Sequence, residues 1–204
     1  MKFVKVTDTL EMATTQVTQK LWQKHMENNP SYFKGKNNPV ETVSFNDCEN
    51  FLKVINAKSK CFTYRLPTED EWEFAAKSCY EQNTKEIAWC SENSDNTTHP
   101  VSTKLPNELG IYDMLGNVFE WTSSKKGSYR VIRGGSWGNG ARYLRSAYRN
   151  NESADYRFDD VGFRLVRTTK LFSTLLSYDP RLSALEVAQK ALRDIADILE
   201  KQIK

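Results

Sequence analysis

The chain has 204 residues, which is long enough for one sizeable hydrophobic core or for one domain with an appendage. Hydrophobic residues make up only 39% of it, but 5 Trp, 9 Tyr and 10 Phe partly offset this because aromatic side chains bury large areas. The formal net charge is +3, and Lys and Arg are scattered among Asp and Glu. This distribution argues against nucleic acid as a partner.

No stretch approaches the roughly 18 apolar residues that a membrane-spanning helix needs. Residues 1–15 lack the apolar core of a signal peptide, which predicts a cytoplasmic protein unless a partner carries it to a surface. The four cysteines, Cys48, Cys61, Cys79 and Cys90, form no Cys-x-x-Cys pair, which argues against a zinc ribbon or a redox motif. Free buried thiols are therefore expected, with two disulfides as the alternative.

The first third of the chain shows the clearest periodicity. Residues 1–12 alternate apolar and polar and predict a short strand. Apolar residues at helical spacing predict a helix over residues 15–26, which the Asn-Asn-Pro at residues 28–30 ends.

Capping residues predict two further helices. Ser44 precedes a helix predicted over residues 46–56, which carries apolar side chains on one face. Thr68 is followed three residues later by Glu71, and this capping box predicts the start of a third helix.

The middle of the chain is irregular. Residues 79–110 read as polar loop, and residues 111–167 are rich in Gly, Asn, Trp and Tyr. Only two strands are predicted there, over residues 129–133 and 162–166.

The composition then changes abruptly, because Gly and Trp disappear and Leu, Ala, Lys and Glu dominate. Ser183 and Glu186 form another capping box, followed by apolar residues three and four apart. This predicts a helix over residues 180–203 whose apolar stripe either packs on the domain or associates with a second copy. The chain thus divides into a domain of residues 1–167 and a helical tail of residues 168–204.

Eight runs in the domain occur in the order of one known family. They are residues 17–19 (VTQ), 28–35 (NNPSYFKG), 39–44 (PVETVS), 65–73 (RLPTEDEWE), 99–101 (HPV), 107–121 (NELGIYDMLGNVFEW), 133–137 (RGGSW) and 161–164 (VGFR). This order resembles the formylglycine-generating enzyme (sulfatase-modifying factor) family over roughly residues 1–167. The resemblance implies an α+β, C-type lectin-like fold with little regular secondary structure.

The family's catalytic groups have no match in this sequence. The enzymes hold copper(I) with a cysteine pair just after the Gly-Gly-Ser-aromatic motif, but residues 137–149 contain no cysteine. A second catalytic branch of the family, the sulfoxide synthases, uses an iron site built on three histidines, whereas this chain has only His25 and His99. A hydrogen-bonded structural role is expected for His99. We therefore assign no catalytic residue, and a divergent oxidoreductase that uses other cysteines to act on protein cysteine is the alternative function.

Two classes of residue interleave between Trp137 and Val161. One class resembles the family framework: Ala141, Arg142, Leu144, Arg145, Ser146, Ala147, Arg149, Ala154, Asp155 and Arg157. The other class can be reached from an Asn codon by changing adenines only: Gly138, Asn139, Gly140, Tyr143, Tyr148, Asn150, Asn151, Ser153, Tyr156, Phe158, Asp159 and Asp160. Ile132 is a further candidate of this second class. The pattern resembles the variable proteins of diversity-generating retroelements, whose mutated adenines vary a ligand-binding face.

The second class, together with Trp137, therefore predicts a non-enzymatic binding face for a protein or another macromolecule over residues 138–160. Its four aromatic side chains would anchor a ligand, and Asp159 and Asp160 would add charge selectivity. The alternative is that these residues fill loops and that Tyr148 or Phe158 belongs to the core.

The resemblance also implies a structural calcium ion beside the turn at residues 116–121. The matching ligands are the carboxylates of Asp113 and Glu120 and the carbonyls of Gly116 and Val118, since hard oxygen donors suit calcium. The alternative is that Glu120 forms an ion pair with Arg133 or Arg164.

Overall fold

The computed structural model describes residues 1–76 and 84–170, together with positions 186, 189, 192, 193 and 196. The helices are Gln19–His25 (α1), Phe45–Lys58 (α2), Glu69–Ala76 (α3) and Thr84–Ile87 (α4). The strands are Phe3–Lys5 (β1), Glu11–Ala13 (β2), Phe62–Arg65 (β3), Phe119–Lys126 (β4), Tyr129–Arg133 (β5), Arg149–Glu152 (β6), Val161–Phe163 (β7) and Val166–Thr169 (β8).

The strands form two four-stranded sheets, in the orders β1-β2-β8-β3 and β6-β5-β4-β7. The first sheet is antiparallel, and its strand β8 lies between β2 and β3, so both ends of the domain meet there. In the second sheet β4 pairs antiparallel with β5 and parallel with β7. Short strands, short helices and long connections give the α+β class predicted from the sequence.

Side-chain caps start the helices. The Ser44 hydroxyl accepts the N–H of Asp47, and the Asp47 carboxylate accepts the N–H of Ser44, which confirms the predicted start of α2. Thr68 and Glu71 form the same reciprocal pair before α3. The first helix begins later than predicted, because Thr18 accepts the N–H of Leu21 and acts as its cap.

The core consists of two apolar clusters. In the first cluster Trp22 stacks on Phe51 at 5.3 Å, and both rings contact Phe163 edge-on. The second cluster surrounds Trp72, which is fully buried, and contains Leu144.

Two strand predictions need correction, and three strands were not predicted. Residues 1–12 form two strands because Val6 and Thr7 turn back and donate to the Leu10 carbonyl. The strand predicted over residues 162–166 is instead the end of β7 and the start of β8, which lie in different sheets. Strands β3, β4 and β6 were not predicted.

The tail is described at five positions, which are helical and exposed, and Leu192 is 66% exposed. The rest of the predicted tail helix lies outside the described residues. Strand β8 continues to Thr169, two residues beyond the predicted domain boundary. Among the described residues, every helix is too short or too polar to cross a bilayer.

Candidate ligand-binding site

The segment from Trp137 to Asp160 crosses the outside of the second sheet. It forms a 3-10 turn at Ala141–Tyr143, then edge strand β6, which pairs with β5, and then a loop into β7. Backbone hydrogen bonds fix it to distant parts of the chain, since the carbonyls of Asn139, Ala154 and Phe158 accept the N–H groups of Ser91, Asn46 and Thr42. The segment is therefore a long surface loop with a fixed path.

Residues of the framework class supply much of this anchoring. Leu144 and Ser146 are buried. Arg157 donates two hydrogen bonds to the Asp47 carboxylate at 2.8 and 3.0 Å. Arg149 forms ion pairs with Glu69 and Glu73 on α3 at 3.0 and 3.7 Å. Five other framework residues are exposed: Ala141, Arg142, Arg145, Ala147 and Asp155.

The structure places the thirteen predicted face residues along this one segment, and none of them is fully buried. Gly138, Asn150, Ser153 and Phe158 are exposed, and the other nine are half-buried. Ile132 differs, because it is 1% exposed and belongs to the first core cluster. It is a core residue, so it does not contribute to the exposed face.

The aromatic face residues support one another. Tyr156 stacks on Phe158 with ring centroids 5.9 Å apart, and Tyr143 lies 5.3 Å from Tyr148. Tyr148 and Tyr156 also pack against the first core cluster. Rings held in this way lose little rotamer entropy when they contact a ligand.

Four face residues also form hydrogen bonds within the segment itself. The Ser136 hydroxyl lies 3.0 Å from the Asn139 side-chain oxygen and 2.9 Å from an Asp160 carboxylate oxygen. The Trp137 indole N–H donates to the Asp159 carbonyl at 3.2 Å. Burial raises the pKa of Asp160. Asn139 and Asp160 therefore present less of their polar groups to a ligand than the exposed residues do.

The space around the glycines differs between the face and the rest of the domain. A Cβ atom built at Gly138 meets nothing within 4 Å, and at Gly140 it meets only side-chain atoms, the nearest being a Glu92 carboxylate oxygen at 3.5 Å. At Gly116 and Gly162 it would lie 2.2 and 2.3 Å from a backbone carbonyl oxygen. Gly138 and Gly140 have room for side chains, whereas Gly116 and Gly162 do not.

The loop of residues 28–35 borders the face, and the sequence analysis did not predict that it takes part in this surface. Tyr32 is 70% exposed and Phe158 is 53% exposed, and they line one open groove of about 470 Å³. The Glu41 carboxylate holds this loop by accepting the N–H groups of Tyr32 and Phe33 at 3.0 and 2.9 Å. Residues 28–35 were interpreted as a family motif whose first residues end a helix, because the exposure of Tyr32 and its place beside Phe158 cannot be read from the sequence.

The cysteines are dispersed. Cys48 lies in the first core cluster and Cys90 in the second, and burial raises the pKa of both thiols. Cys61 is half-buried, and none of these three described cysteines is in a disulfide, as expected. Cys79 lies outside the described residues. The His99 ring stacks on Trp89 at 3.7 Å with its Nε2 2.7 Å from the Ser94 carbonyl oxygen, which matches its expected structural role.

Glu120 is buried against a guanidinium. Arg164 lies 2.9 Å from the Glu120 carboxylate, and both side chains are 0% exposed. The Arg164 guanidinium also donates to the carbonyls of Ala13, Tyr112 and Asp113 at 2.8–3.2 Å. The ion-pair alternative for Glu120 is therefore confirmed with Arg164.

Oxygens of the four residues predicted as cation ligands nevertheless lie close together, although Asp113 contributes its backbone carbonyl and not the predicted carboxylate. Oxygens of Val118, Glu120, Asp113 and Gly116 lie 3.0, 3.1, 3.3 and 3.4 Å from the side-chain nitrogen of Gln16. We call these four oxygens the oxygen cage.

Two observations test whether the cage fits a cation. Burial raises the pKa of Asp113 to about 6, and its Oδ1 atom is buried with no hydrogen-bond partner among the described residues. The described residues contain no cluster of three or more His, Cys, Asp or Glu side chains. The cage instead combines one carboxylate oxygen, from Glu120, with the backbone carbonyls of Asp113, Gly116 and Val118. Calcium accepts hard oxygen donors of this kind.

The Sulfatase-modifying factor enzyme 1-like domain matches residues 1–169 of the chain. A solved structure, Treponema denticola variable protein 1, is 31% identical, with a TM-score of 0.71 over 77% of this chain and 84% of that chain. The chaperone protein LppX of Paenibacillus barcinonensis is 28% identical over 218 residues, covering 75% of this chain and 78% of LppX.

The inactive C-alpha-formylglycine-generating enzyme 2 of Bos taurus is 31% identical over 156 residues, covering 62% of this chain. The match spans 49% of that relative, about half its length. These similarities confirm the lectin-like fold and both parts of the resemblance, to the enzyme family and to variable proteins. The chain belongs to the formylglycine-generating enzyme (sulfatase-modifying factor) family.

Proposed function

We propose that this protein is a non-enzymatic ligand-binding protein that displays a variable face on a C-type lectin-like scaffold. The face consists of the thirteen residues placed between Trp137 and Asp160, bordered by the fixed groove at Tyr32. Its ligand is a protein or another macromolecule. The face varies among copies of the gene while the framework that carries it stays constant.

The contrast between the glycines carries this proposal. A side chain at Gly138 would project into open space, while a side chain at Gly162 would collide with the Val40 carbonyl oxygen. A surface whose side chains change without unfolding the protein must consist of positions like Gly138, where an added side chain meets no other atoms. The similarity to the Treponema denticola variable protein supports the same conclusion.

The chemistry of the face favours a macromolecular ligand that is not nucleic acid. Tyr143, Tyr156 and Phe158 offer broad contact surfaces, while Asn150 and Ser153 offer adaptable hydrogen bonds. Asp159 and Asp160 place negative charge beside the aromatic rings, which disfavours a phosphate backbone.

The alternative function, an oxidoreductase acting on protein cysteine, needs two thiolates near each other. Cys48 and Cys90 lie in separate core clusters, and the pKa of each thiol is raised rather than lowered. The described thiols therefore do not support the oxidoreductase alternative.

The gene itself tests the proposal. We expect the coding segment from sister isolates to differ by amino-acid replacements at the face codons, through changes of adenine positions. Leu144 and Ser146 lie within the same segment but are buried, so their codons serve as internal controls and should stay constant. Silent differences alone at the face codons, or equal replacement at Leu144, would contradict a variable face.

We further propose that a calcium ion bound in the oxygen cage stabilises the scaffold. The carbonyls of Asp113, Gly116 and Val118 and the Glu120 carboxylate would hold it. A thermal midpoint that chelator leaves unchanged would contradict this site. The cage lies next to β4, so the ion would stiffen the strand that supports the face.

Association of two copies through the predicted helix over residues 180–203 stays a proposal. The exposure of Leu192 supports it, because an apolar side chain on the predicted stripe is left open to a second copy.

A further inference from the structure

A cavity apart from the groove at Tyr32 lies against the first sheet, whereas the face lies on the second. Most of its wall comes from side chains of helices α1 and α2 and of strands β1, β3 and β8. The cavity has a volume of about 300 Å³. This volume is at the lower end of the range in which proteins bind small molecules.

The larger part of the wall is apolar and fixed by packing. Three of its residues are buried members of the first core cluster, and three more are half-buried and pack against that cluster: Phe51, Ile55 and Leu165, then Phe3, Leu21 and Tyr64. The Phe51 ring is held in place because Trp22 stacks on it at 5.3 Å. The apolar wall is therefore preformed, and covering it with the hydrocarbon part of a ligand costs little ordering of side chains.

The charged side chains in the wall are basic. They are Lys58 and Arg167, and the described residues place no Asp or Glu in this lining. Arg167 is paired with Glu11, whose carboxylate lies 2.5 Å from its Nε atom. Lys58 ends α2, is exposed, and forms no ion pair with the described residues. The protein therefore leaves the charge of Lys58 without a counter-charge.

His25 shows that this positive charge acts on the cavity. The His25 ring is part of the wall and stands edge-on to Phe51, with ring centroids 5.8 Å apart. Burial lowers the pKa of His25, and the charges of Lys58 and Lys24 lower it further. The ring is thus neutral near pH 7, and its electrostatic environment favours an anion.

We propose that this cavity is a binding site for a small amphipathic anion, an apolar carboxylate. The hydrocarbon part packs on the wall at Phe51 and Leu165, and the carboxylate pairs with Lys58. Inorganic phosphate would leave the apolar wall in contact with water, and an apolar amine would be repelled by Lys58. The site is independent of the proposed function, because its lining and the thirteen face residues have no member in common.

The chain itself offers a competing occupant. The Lys170 ammonium group donates to the carbonyl of Ser59, which lines the cavity. Residues 171–176, which follow directly, have the apolar sequence LFSTLL. This run contains no acidic side chain to pair with Lys58, so charge complementarity favours the separate anion.

The test titrates the full chain by calorimetry with three eight-carbon probes that differ only in the head group: octanoate, octanol and octylamine. We expect octanoate to bind with a dissociation constant of about 1 mM or tighter. Octanol and octylamine should bind at least about fivefold more weakly, because they lack the negative charge. Absence of octanoate binding, or equal affinity for octanoate and octanol, would overturn the proposal.

Substitutions locate the binding. Lys58→Gln should weaken octanoate about fivefold and leave octanol unchanged, whereas the control Lys53→Gln, on the same helix but outside the lining, should change neither affinity. Leu21→Trp should fill the cavity and abolish octanoate binding, with its thermal midpoint showing that it folds. If it does not fold, the comparison of Lys58→Gln with Lys53→Gln decides.

Three results would contradict the site. They are octanoate binding that survives in a folded Leu21→Trp variant, equal losses in Lys58→Gln and Lys53→Gln, and binding that occurs only after Phe172→Ser. The last result would assign the cavity to the run of residues 171–176.

Discussion

Gly162→Ala should lower the free energy of unfolding by about 3 kcal/mol or more, a large effect for one methyl group. The added Cβ would lie 2.3 Å from the Val40 carbonyl oxygen and 3.1 Å from a Val118 methyl group. Val40 and Val118 are both buried, so neither can move aside without disturbing β4 or the first core cluster. Urea unfolding followed by tryptophan fluorescence measures the change.

Gly138→Ala is the matched control for that prediction. The same methyl group there meets no atom within 4 Å, and we expect a change within about 0.5 kcal/mol. Equal losses at the two glycines would mean that the face is as tightly constrained as the framework, and the proposed function would lose its physical basis.

Arg164→Met should lower the free energy of unfolding by about 3–5 kcal/mol. The substitution leaves the buried Glu120 carboxylate without its counter-charge and removes the donors to three backbone carbonyls. The Trp72 indole N–H, 2.7 Å from Glu120, would remain as one of few donors to that carboxylate. Equilibrium unfolding in urea gives the difference directly.

A partly exposed ion pair provides the comparison for Arg164. Arg65 lies 2.6 Å from Glu71, with side chains 39% and 26% exposed, so water already solvates part of both charges. Arg65→Met should therefore cost about 1 kcal/mol or less. A loss at Arg164 no larger than this would show that the Glu120 carboxylate is stabilised by something other than its guanidinium partner.

Local signals predicted the helices better than the strands. The caps at Ser44 and Thr68 are short-range hydrogen bonds, so the sequence contains both partners within three residues. Strand β6 has the sequence Arg-Asn-Asn-Glu and is held by pairing with β5, so no alternation marks it. The hairpin of β1 and β2 depends on the turn at Leu10, which interrupts a pattern that otherwise predicts one strand.

The candidate site was predictable where family motifs and codon patterns mark single residues. Burial cannot be predicted from such patterns. Ile132 was therefore grouped with the face residues, although its side chain packs in the core and only its strand partner Asn150 is exposed. Gln16 and Tyr32 were missed because their importance arises from partners far along the chain. Gln16 contacts oxygens about one hundred residues away, and no local pattern encodes such a contact.

The most direct test of the central claim is the unfolding of a variant in which five face residues are replaced at once. We would combine Gly138→Tyr, Tyr143→Ser, Asn150→Asp, Ser153→Tyr and Phe158→Ser, each reachable through adenine changes in an Asn codon. If the face is a substitution-tolerant surface on a rigid scaffold, the variant should unfold cooperatively in urea with an unchanged slope, within about 2 kcal/mol of the parent. A variant without a cooperative transition would contradict the account, because those side chains would then be part of what holds the fold together.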